Sequence, residues 1–243
     1  MQAEYARAYE DLYRNHWWWR AREDYLISVL RERLPQDGTG RILDVGCGSG
    51  LFFERLEPFG EVCGVETDVS LRTGIAAVDD RIHWGPLEEL AAPARFTGIL
   101  MLDVLEHMTD PVAALRQAHA RLGAGGVLLA TVPAFQMLWT KHDDMNQHIR
   151  RYSKRTFRPL LARAGFRAEQ LRYFFHWTFA AKLLVRATES VGRGSPPTPV
   201  IPSIPPAPLN HALYVFSRVE QWCFRPLPLP FGSSLLVVAV HDR

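Results

Sequence analysis

The fold of this chain is decided by one stretch, RILDVGCGSG at residues 41–50. Residues 41–45 are mostly apolar and predict a short β-strand, and glycines then occupy positions 46, 48 and 50. The next residues, 51–56, predict the start of a helix. Glycine lets the backbone pass close to a ligand, and the first turn of a helix offers unpaired N–H groups. The stretch therefore predicts a nucleotide-type binding turn.

The spacing of the glycines narrows the kind of ligand. Leu51 stands where the dinucleotide fingerprint has its third glycine, and no Lys-Ser/Thr pair follows, which disfavours a P-loop. From Asp44 the pattern is D-x-G-x-G-x-G, which closely resembles the first motif of the class I S-adenosylmethionine-dependent methyltransferases. The resemblance implies that Asp44 orders the turn near the methionine end, and that the backbone passes under the cofactor at Gly46, Cys47, Gly48 and Gly50. An ordinary glycine-rich turn is the alternative.

Two further segments extend the predicted cofactor site. Residues 61–66 predict a second strand that ends in Glu66, about twenty residues beyond Gly46, where such folds place a ribose-binding carboxylate. Thr67 lies on the same loop, and Asp68 is the alternative ribose ligand. Residues 81–84 predict a third strand, and by resemblance Leu87 supplies an apolar wall for the adenine. Pro86 replaces the acid that the family usually has after the glycine.

A fourth strand, at residues 96–102, is continuously apolar, as in a parallel sheet buried on both faces. It leads into D-V-L-E-H at 103–107, a segment that resembles the small-molecule methyltransferases related to the ubiquinone-biosynthesis O-methyltransferases. Some of these hold magnesium with an acid-x-x-Glu-His set, which corresponds to Asp103, Glu106 and His107. We favour the alternative without a metal, in which Asp103 flanks the methionine end while Glu106 and His107 cap and pack the next helix.

The remaining segments complete an α/β pattern. Strands are predicted at 127–132, 166–173 and 234–240, and helices after Asp110 and Ser153. The prediction is a doubly wound, seven-stranded, mostly parallel sheet of the Rossmann-like class I methyltransferase type, and the resemblance implies an antiparallel last strand. Three parts follow: an N-terminal helical lid at 1–40, a cofactor-binding domain at 41–173 and 234–243, and a helical, proline-rich insertion at 174–233.

The N-terminal part is predicted to be helical over residues 4–34, with a break near Asn15. Its run His16-Trp17-Trp18-Trp19-Arg20 has two interpretations. The helix either docks on the core, or forms a lid whose aromatic faces cover the sulfonium. In the second case Arg20 or His16 holds the carboxylate of the cofactor.

The loop after strand five, residues 134–152, is the predicted acceptor site, because ligands of such sheets bind beyond the carboxyl ends of the strands. Trp139, Arg151 and Tyr152 are the candidate acceptor-binding residues. Six Lys/Arg between Lys141 and Arg158 predict an acidic acceptor; solvated surface charge is the alternative. For the base that takes a hydroxyl proton, the candidates are His148, then Asp144 and His107.

The insertion is predicted to contain two amphipathic helices, the second capped by Asn210, joined by a link rich in proline. A lid over an apolar acceptor, a dimer surface, a membrane-surface contact through 174–225 and simple packing on the domain all stay open. Seven prolines between Ser195 and Ser217 exclude a spanning helix there.

Bulk properties limit the function further. The 243 residues carry a net charge of +2, which gives no support for nucleic-acid binding. Three cysteines without C-x-x-C spacing, and a first segment unlike an export signal, predict a cytoplasmic enzyme, with peripheral contact at the inner membrane surface as an alternative.

The predicted function is S-adenosylmethionine-dependent methyl transfer to a small or lipid-like, acidic acceptor, at oxygen. Three other functions stay open: a magnesium-assisted catechol-type O-methyltransferase, a non-catalytic partner subunit that binds the cofactor, and a nicotinamide oxidoreductase. The sequence leaves the oligomeric state open.

Overall fold

A computed structural model describes residues 10–91, 95–191 and 202–241, except for the side chains of 188–191. Two predicted features lie outside these ranges: the part of the first helix before residue 10, and the prolines at 196, 197 and 199. After a helical segment at 10–15, the helices are α1 (Trp17–Leu30), α2 (Phe53–Leu56), α3 (Ala76–Asp79), α4 (Pro111–Arg121), α5 (Lys141–Met145), α6 (Lys154–Arg163), α7 (His176–Val191) and α8 (Ala207–Phe224). The strands are β1 (Gly40–Val45), β2 (Gly60–Glu66), β3 (Ile82–Trp84), β4 (Phe96–Leu102), β5 (Leu122–Pro133), β6 (Phe166–Phe174) and β7 (Ser234–His241).

These strands form one sheet in the order β3-β2-β1-β4-β5-β7-β6. β1 to β5 pair in parallel, and β7 runs antiparallel to both β5 and β6. The predicted fold class is confirmed. Because parallel strands end at the same edge of a sheet, the residues that follow β1, β2, β4 and β5 converge there.

β5 is longer than the predicted 127–132. It begins at Leu122, which pairs with Phe96, and the register shifts between Phe96 and Gly98. The glycines of this segment let the pairing continue through the irregularity, with Gly125 at φ +76°. Gly123, Gly125 and Gly126 follow the helix predicted after Asp110 and are typical of a helix end. In the structure they also lie at the start of a strand.

Two apolar layers cover the two faces of the sheet. α4 and α6 pack on one face through Leu115, Phe157 and Leu161. α1 packs on the other face, where Tyr25, Leu26 and Leu30 are buried. Trp17 and Trp18 contact Trp177 and Phe175 respectively, so the aromatic run docks α1 on the core.

The insertion between β6 and β7 is held by polar residues of α8. Glu220 accepts hydrogen bonds from the backbone N–H groups of His176 and Trp177, which caps α7. Asn210 was predicted to cap its own helix, but α8 begins at Ala207. Asn210 instead accepts the N–H of Trp17 at 2.9 Å and donates to the carbonyl of Asn15, so it joins α8 to the start of α1. Within the described ranges, no helix has the length and apolar character needed to cross a membrane.

Candidate active site

The glycine turn follows β1 at the carboxyl edge of the sheet. Gly46, Gly48 and Gly50 all have positive φ, at 72°, 58° and 75°. A Cβ on Gly46 would lie 2.5 Å from Cγ2 of Val104, whereas one on Gly48 would meet no atom within 4 Å. The turn therefore requires glycine at 46 for conformation and for space, while the region beside Gly48 is open to a ligand.

Glu66, at the end of β2, stabilises this turn by accepting hydrogen bonds from the backbone. One carboxylate oxygen accepts the N–H of Gly48 at 2.9 Å. The other accepts the N–H groups of Thr67 and Asp68 at 2.8 and 2.9 Å. A carboxylate offers about four acceptor sites, so Glu66 retains capacity for a ribose hydroxyl. Asp68 is occupied as the cap of the 3₁₀ turn Val69–Leu71, where it accepts the N–H of Ser70.

Two other predicted cofactor residues are buried beside the turn. Leu87 begins a 3₁₀ turn after β3 and packs in the same apolar cluster as Val45 and Val65, which lie at the ends of β1 and β2. Cys47 is half-buried, and burial raises the pKa of its thiol. A Cβ on Gly64 would lie 2.3 Å from Cys47 Sγ, so glycine at 64 gives the thiol its place against β2.

Asp44 is a buried carboxyl at the end of β1. Burial raises its pKa to about 7, and the nearby Arg22 opposes that rise. Arg22 is itself buried and reaches from α1 across the ends of β4 and β5. Its NH2 group lies 2.7 Å from Oδ2 of Asp103 and 2.8 Å from Oγ1 of Thr131. An acid at each of two neighbouring strand ends, with a cation between them, suits the amino and carboxylate groups of an amino acid.

Arg20 and His16, the predicted ligands for the carboxylate of the cofactor, have other partners in the structure. The Arg20 guanidinium lies 4.6 Å from the ring centroid of Tyr214 on α8. His16 caps α1 by accepting the N–H of Trp18, and burial lowers its pKa. Arg22, not Arg20, is the basic residue that α1 brings to the strand ends. The sequence signal for it was helical spacing, since Arg22 stands four residues after Trp18 on the docked face.

Glu106, His107 and His148 come together beneath the loop after β5. One ligand atom from each lies within 4.8 Å of the others, and the two imidazole centroids are 4.9 Å apart. Glu106 is fully buried, and neither carboxylate oxygen has a partner in the described part of the chain. Burial and the nearby Asp103 raise its pKa, which favours the neutral form.

This cluster differs from the magnesium set that the D-V-L-E-H segment implied. Asp103 is turned to Arg22 and Thr131, and His148 stands beside Glu106 and His107 in its place. Two imidazole nitrogens and one carboxylate suit zinc or iron better than magnesium, which prefers oxygen ligands. The sequence prediction did not include His148 in such a set, because it lies on a distant loop.

Asp143 is the buried centre of the acceptor loop. Its two oxygens accept Nε and NH2 of Arg151, each at 2.8 Å, and the N–H of Thr140 at 2.8 Å. Nδ1 of His148 lies 2.8 Å from Oδ1. Hydrogen bonds from His148 and Arg151 hold the pKa of Asp143 far below its usual range, although burial opposes this. Arg151 is therefore paired and buried, and not part of an unpaired basic cluster as the sequence predicted.

The other predicted acceptor residues also have partners in this loop. Tyr152 is buried, and its hydroxyl donates to the carbonyl of Leu105 at 2.9 Å. Burial raises the pKa of Tyr152 to about 12. The indole N–H of Trp139 donates to the exposed Asp144 at 2.9 Å. These contacts bury the hydroxyl of Tyr152 within the loop and leave Trp139 half-buried, nearer the surface.

Lys182 of α7 is a cation that the sequence analysis did not assign to the site. Burial and the nearby Arg151 together lower its pKa to about 8, although Asp143 and Asp103 oppose the fall. Its electrostatic partners thus belong to the acceptor loop and to the end of β4. No hydrogen bond or ion pair of its ammonium group is found within the described ranges. α7 carries Lys182 towards the site from the insertion, which explains why motif spacing in the α/β domain did not find it.

A family described as a methyltransferase domain matches residues 18–171. Curated relatives include an uncharacterized protein of Synechococcus sp., 30% identical over 45% of this chain and 29% of that protein. Ubiquinone biosynthesis O-methyltransferases of Xanthomonas euvesicatoria and Xylella fastidiosa are 32% and 35% identical. They match over 47% and 43% of this chain and 54% and 46% of their own lengths. The chain spans about half the length of these O-methyltransferases or less.

Solved structures share the fold at low identity. An S-adenosylmethionine-dependent methyltransferase from Archaeoglobus fulgidus has a TM-score of 0.57 and 16% identity, covering 96% of this chain and 98% of that one. The [4+2]-cyclase SpnF has a TM-score of 0.55 and 19% identity, covering 90% and 80%. The name of the second protein describes a reaction other than methyl transfer, so the fold by itself does not determine the chemistry.

Proposed function

The chain belongs to the methyltransferase domain family, whose match covers residues 18–171, and from this premise we propose that it transfers a methyl group from S-adenosylmethionine to the oxygen of a small or lipid-like, acidic acceptor. The observation that carries the proposal is the glycine turn, open beside Gly48 and fastened to Glu66 on the neighbouring strand. Oxygen as the methylated atom is supported by the names of the ubiquinone biosynthesis relatives.

The residues at the strand ends fit the parts of this cofactor. Glu66 faces the turn with acceptor capacity for the ribose, and Thr67 follows it on the same loop. Asp44 and Asp103 accept the methionine ammonium group, while Arg22 pairs with its carboxylate. When bound, the cofactor supplies a methyl group on a positively charged sulfur, which leaves as a neutral thioether. The chain therefore has to align an acceptor oxygen with that methyl group and remove its proton.

His148 is the residue we assign to proton removal. Its Nδ1 is bonded to the buried Asp143, which fixes the orientation of the ring and leaves Nε2 for a substrate proton. His107 contacts the same ring edge to face, and Asp144 is exposed and bonded to Trp139. Both are therefore second candidates for the base.

An acidic acceptor is supported by Lys182 more than by the basic residues of the loop. Arg151 is neutralised by Asp143. Arg150 donates to the carbonyl of Thr109, and the Lys154 ammonium lies 4.7 Å from the Tyr173 ring centroid. Lys182 faces the loop without such a partner in the described part of the chain, so we propose that it pairs with a carboxylate or phosphate of the acceptor.

The test combines cofactor binding with product identification. Calorimetry should show S-adenosylhomocysteine binding, and Glu66→Gln should weaken it by about tenfold or more, since a neutral amide replaces two charged acceptors. Glu61→Gln is the matched control, because Glu61 lies on the same strand and pairs with Arg41 at the surface. Labelled methyl transfer into a cell extract, followed by identification of the labelled product, defines the acceptor. Absence of S-adenosylhomocysteine binding would refute the proposal, and binding without transfer to any extract component would favour the non-catalytic subunit.

A metal-assisted reaction is the second candidate, and the cluster of Glu106, His107 and His148 favours it. A metal ion there would hold a catechol-type acceptor and lower the pKa of its hydroxyl. Dialysis against EDTA should then abolish turnover, and zinc, iron or manganese should restore it. An unchanged rate after metal removal would leave His148 in the role of base.

A lipid-like acceptor also bears on location. We propose that the chain acts in the cytoplasm at the inner membrane surface and that residues 174–225 make the contact. Fractionation of cells that express the protein should recover it with membranes in low salt.

A further inference from the structure

α8 has the reverse of the usual polarity of a surface helix. Its buried side chains are polar: Asn210, Ser217, Glu220 and Gln221. Its exposed positions from 209 to 224 are apolar except for His211: Leu209, Ala212, Val215, Phe216, Val219, Trp222, Cys223 and Phe224. A surface helix of a protein normally turns its apolar stripe to the core and its charges to water.

Three of the buried polar residues form defined bonds to other segments, and Gln221 accepts a bond from Arg218 within the helix. Asn210 bonds to the backbone of Trp17 and Asn15. Glu220 caps α7, and Ser217 accepts the indole N–H of Trp177 at 3.1 Å. These bonds fix the rotation of α8 about its axis. The apolar face is therefore held outward by specific contacts, and rotation of the helix to hide it would break them.

The outward face is large and continues onto α7. Trp222 is 77% exposed and Phe216 is 55% exposed. Phe216 contacts Trp177 of α7, with centroids 5.8 Å apart. Leu184, two turns further along the same side of α7, is 67% exposed. Contiguous apolar surface of this kind is rare on a monomer and marks a contact site.

The charges around this face complement an anionic surface. Residues 174–232 contain five Lys/Arg and two acids. One acid, Glu220, is buried as the cap of α7, and the side chain of the other, Glu189, lies outside the described part of the chain. Arg186 is exposed on α7 and donates one hydrogen bond to the carbonyl of Trp139, and Arg225 at the end of α8 pairs with Glu32 of the main domain. Basic residues beside an outward apolar helix with an exposed tryptophan are the pattern of an interfacial membrane helix.

We propose that α8 lies on an anionic lipid bilayer, with Phe216, Val219 and Trp222 in the boundary between headgroups and acyl chains. The inference deepens the membrane contact in the proposed function by naming its surface and the class of lipid. α7 would then join the bilayer to the site, because it presents Leu184 on the outer face and Lys182 to the acceptor loop. A lipid-like acceptor with an acidic headgroup reaches Lys182 from that surface.

Vesicle flotation of the full chain tests this. Vesicles of phosphatidylcholine with one third phosphatidylglycerol should bind the protein, and Phe216→Ser/Val219→Ser/Trp222→Ser should reduce binding by about tenfold or more. Val69→Ser/Ile75→Ser is the matched control, because both residues are 59% exposed and lie between β2 and β3, the two strands at the opposite edge of the sheet from β6. High salt should weaken wild-type binding, since it screens the attraction between basic residues and lipid.

Each other outcome overturns the inference. One is absence of binding to anionic vesicles, and a second is equal binding by the triple variant. A third is a wild-type dimer in light scattering that the triple variant lacks, because a second copy would then cover the face. If the triple variant does not fold, Trp222→Ser alone should still weaken binding. Calorimetry with S-adenosylhomocysteine on the same samples separates the two proposals. If the wild-type protein does not bind S-adenosylhomocysteine but does bind vesicles, the proposed methyltransferase function is refuted and the membrane contact stands.

Discussion

At the residue scale, Asp44 is a buried carboxyl whose negative charge we propose is neutralised by the ammonium group of the cofactor. Its pKa of about 7 compares with about 3.9 in an unfolded chain. Between these values the folded chain binds more protons than the unfolded chain, so the free energy of unfolding falls as the pH rises from about 4 to about 7. Above about pH 7, the free energy of unfolding is lower by about 4 kcal/mol than it is below about pH 4 because of this one group.

Asp44→Asn should remove this dependence. Urea unfolding at about pH 5 and about pH 8 should show a smaller loss of stability in the variant than in wild type. The exposed Asp80→Asn should leave the wild-type dependence intact. S-adenosylhomocysteine affinity of the wild type should rise over the same range, because ionised Asp44 attracts the ammonium group. A pH dependence of stability identical in Asp44→Asn and wild type would contradict the assigned burial.

Arg22 and Arg20 offer a direct comparison of the structural and the sequence-based assignments. Arg22→Met removes the cation between Asp103 and Thr131 and should weaken S-adenosylhomocysteine binding by about tenfold or more. Arg20→Met, which loses only the contact with Tyr214, should change the affinity by about twofold at most. Calorimetry on both variants decides, and the reverse ranking would restore Arg20 as the carboxylate ligand.

These residues also show what the sequence could and could not predict about the site. Asp44, the glycines and Glu66 were predicted because their chemistry depends on spacing within one strand-turn-helix unit. The unpaired basic cluster predicted around Arg151 was wrong, because Arg151 is paired with Asp143. A pairing between two loop residues has no spacing rule in the sequence. Lys182 and Arg22 come from helices outside the cofactor motifs. Helical spacing places Arg22 on the docked face of α1, but tertiary packing is needed to show that either residue approaches the strand ends.

At the element scale, α1 and α8 are coupled through Asn210. Asn210→Ala removes the acceptor for Trp17 and the donor to Asn15, and should lower the free energy of unfolding by about 1–2 kcal/mol. His211→Ala, at the exposed neighbouring position, should change it by less than about 0.5 kcal/mol. Urea unfolding of both variants measures the difference.

The same variant carries information about function. Because α1 bears Arg22, loosening its first turn should also weaken S-adenosylhomocysteine binding in Asn210→Ala. An unchanged affinity together with the stability loss would show that the start of α1 and the cofactor site are independent.

Element boundaries departed from prediction where tertiary contacts override local signals. Gly123, Gly125 and Gly126 indicated only a helix end, yet β5 begins at Leu122 because Phe96 of the neighbouring strand pairs there. Asn210 had the residue type of an N-cap, but it caps another helix. By contrast, β4 was predicted closely, since a continuous apolar run buried on both faces has few other structures available.

At the scale of the whole molecule, the cofactor should stabilise the folded chain by mass action. A ligand at about one hundred times its Kd adds about 2.7 kcal/mol to the free energy of unfolding. For a domain of this size that shifts Tm by about 5–10 °C. Thermal unfolding with S-adenosylhomocysteine should show this shift. Adenosine alone should produce a smaller shift, since it lacks the amino acid group for which we propose contacts with Asp44, Arg22 and Asp103.

The Glu66→Gln variant is the control for that measurement, because its weaker binding should reduce the shift at equal ligand concentration. A shift of the same size in Glu66→Gln, or none in wild type, would contradict the placement of the ribose at the end of β2.

The sheet register has one last consequence. Phe174, the final residue of β6, pairs with Ser234, the first residue of β7, so the chain leaves the sheet and returns to it at adjacent points. The helical insertion could therefore be shortened or replaced without breaking a strand, provided that the contacts of α8 with α1 through Asn210 are rebuilt.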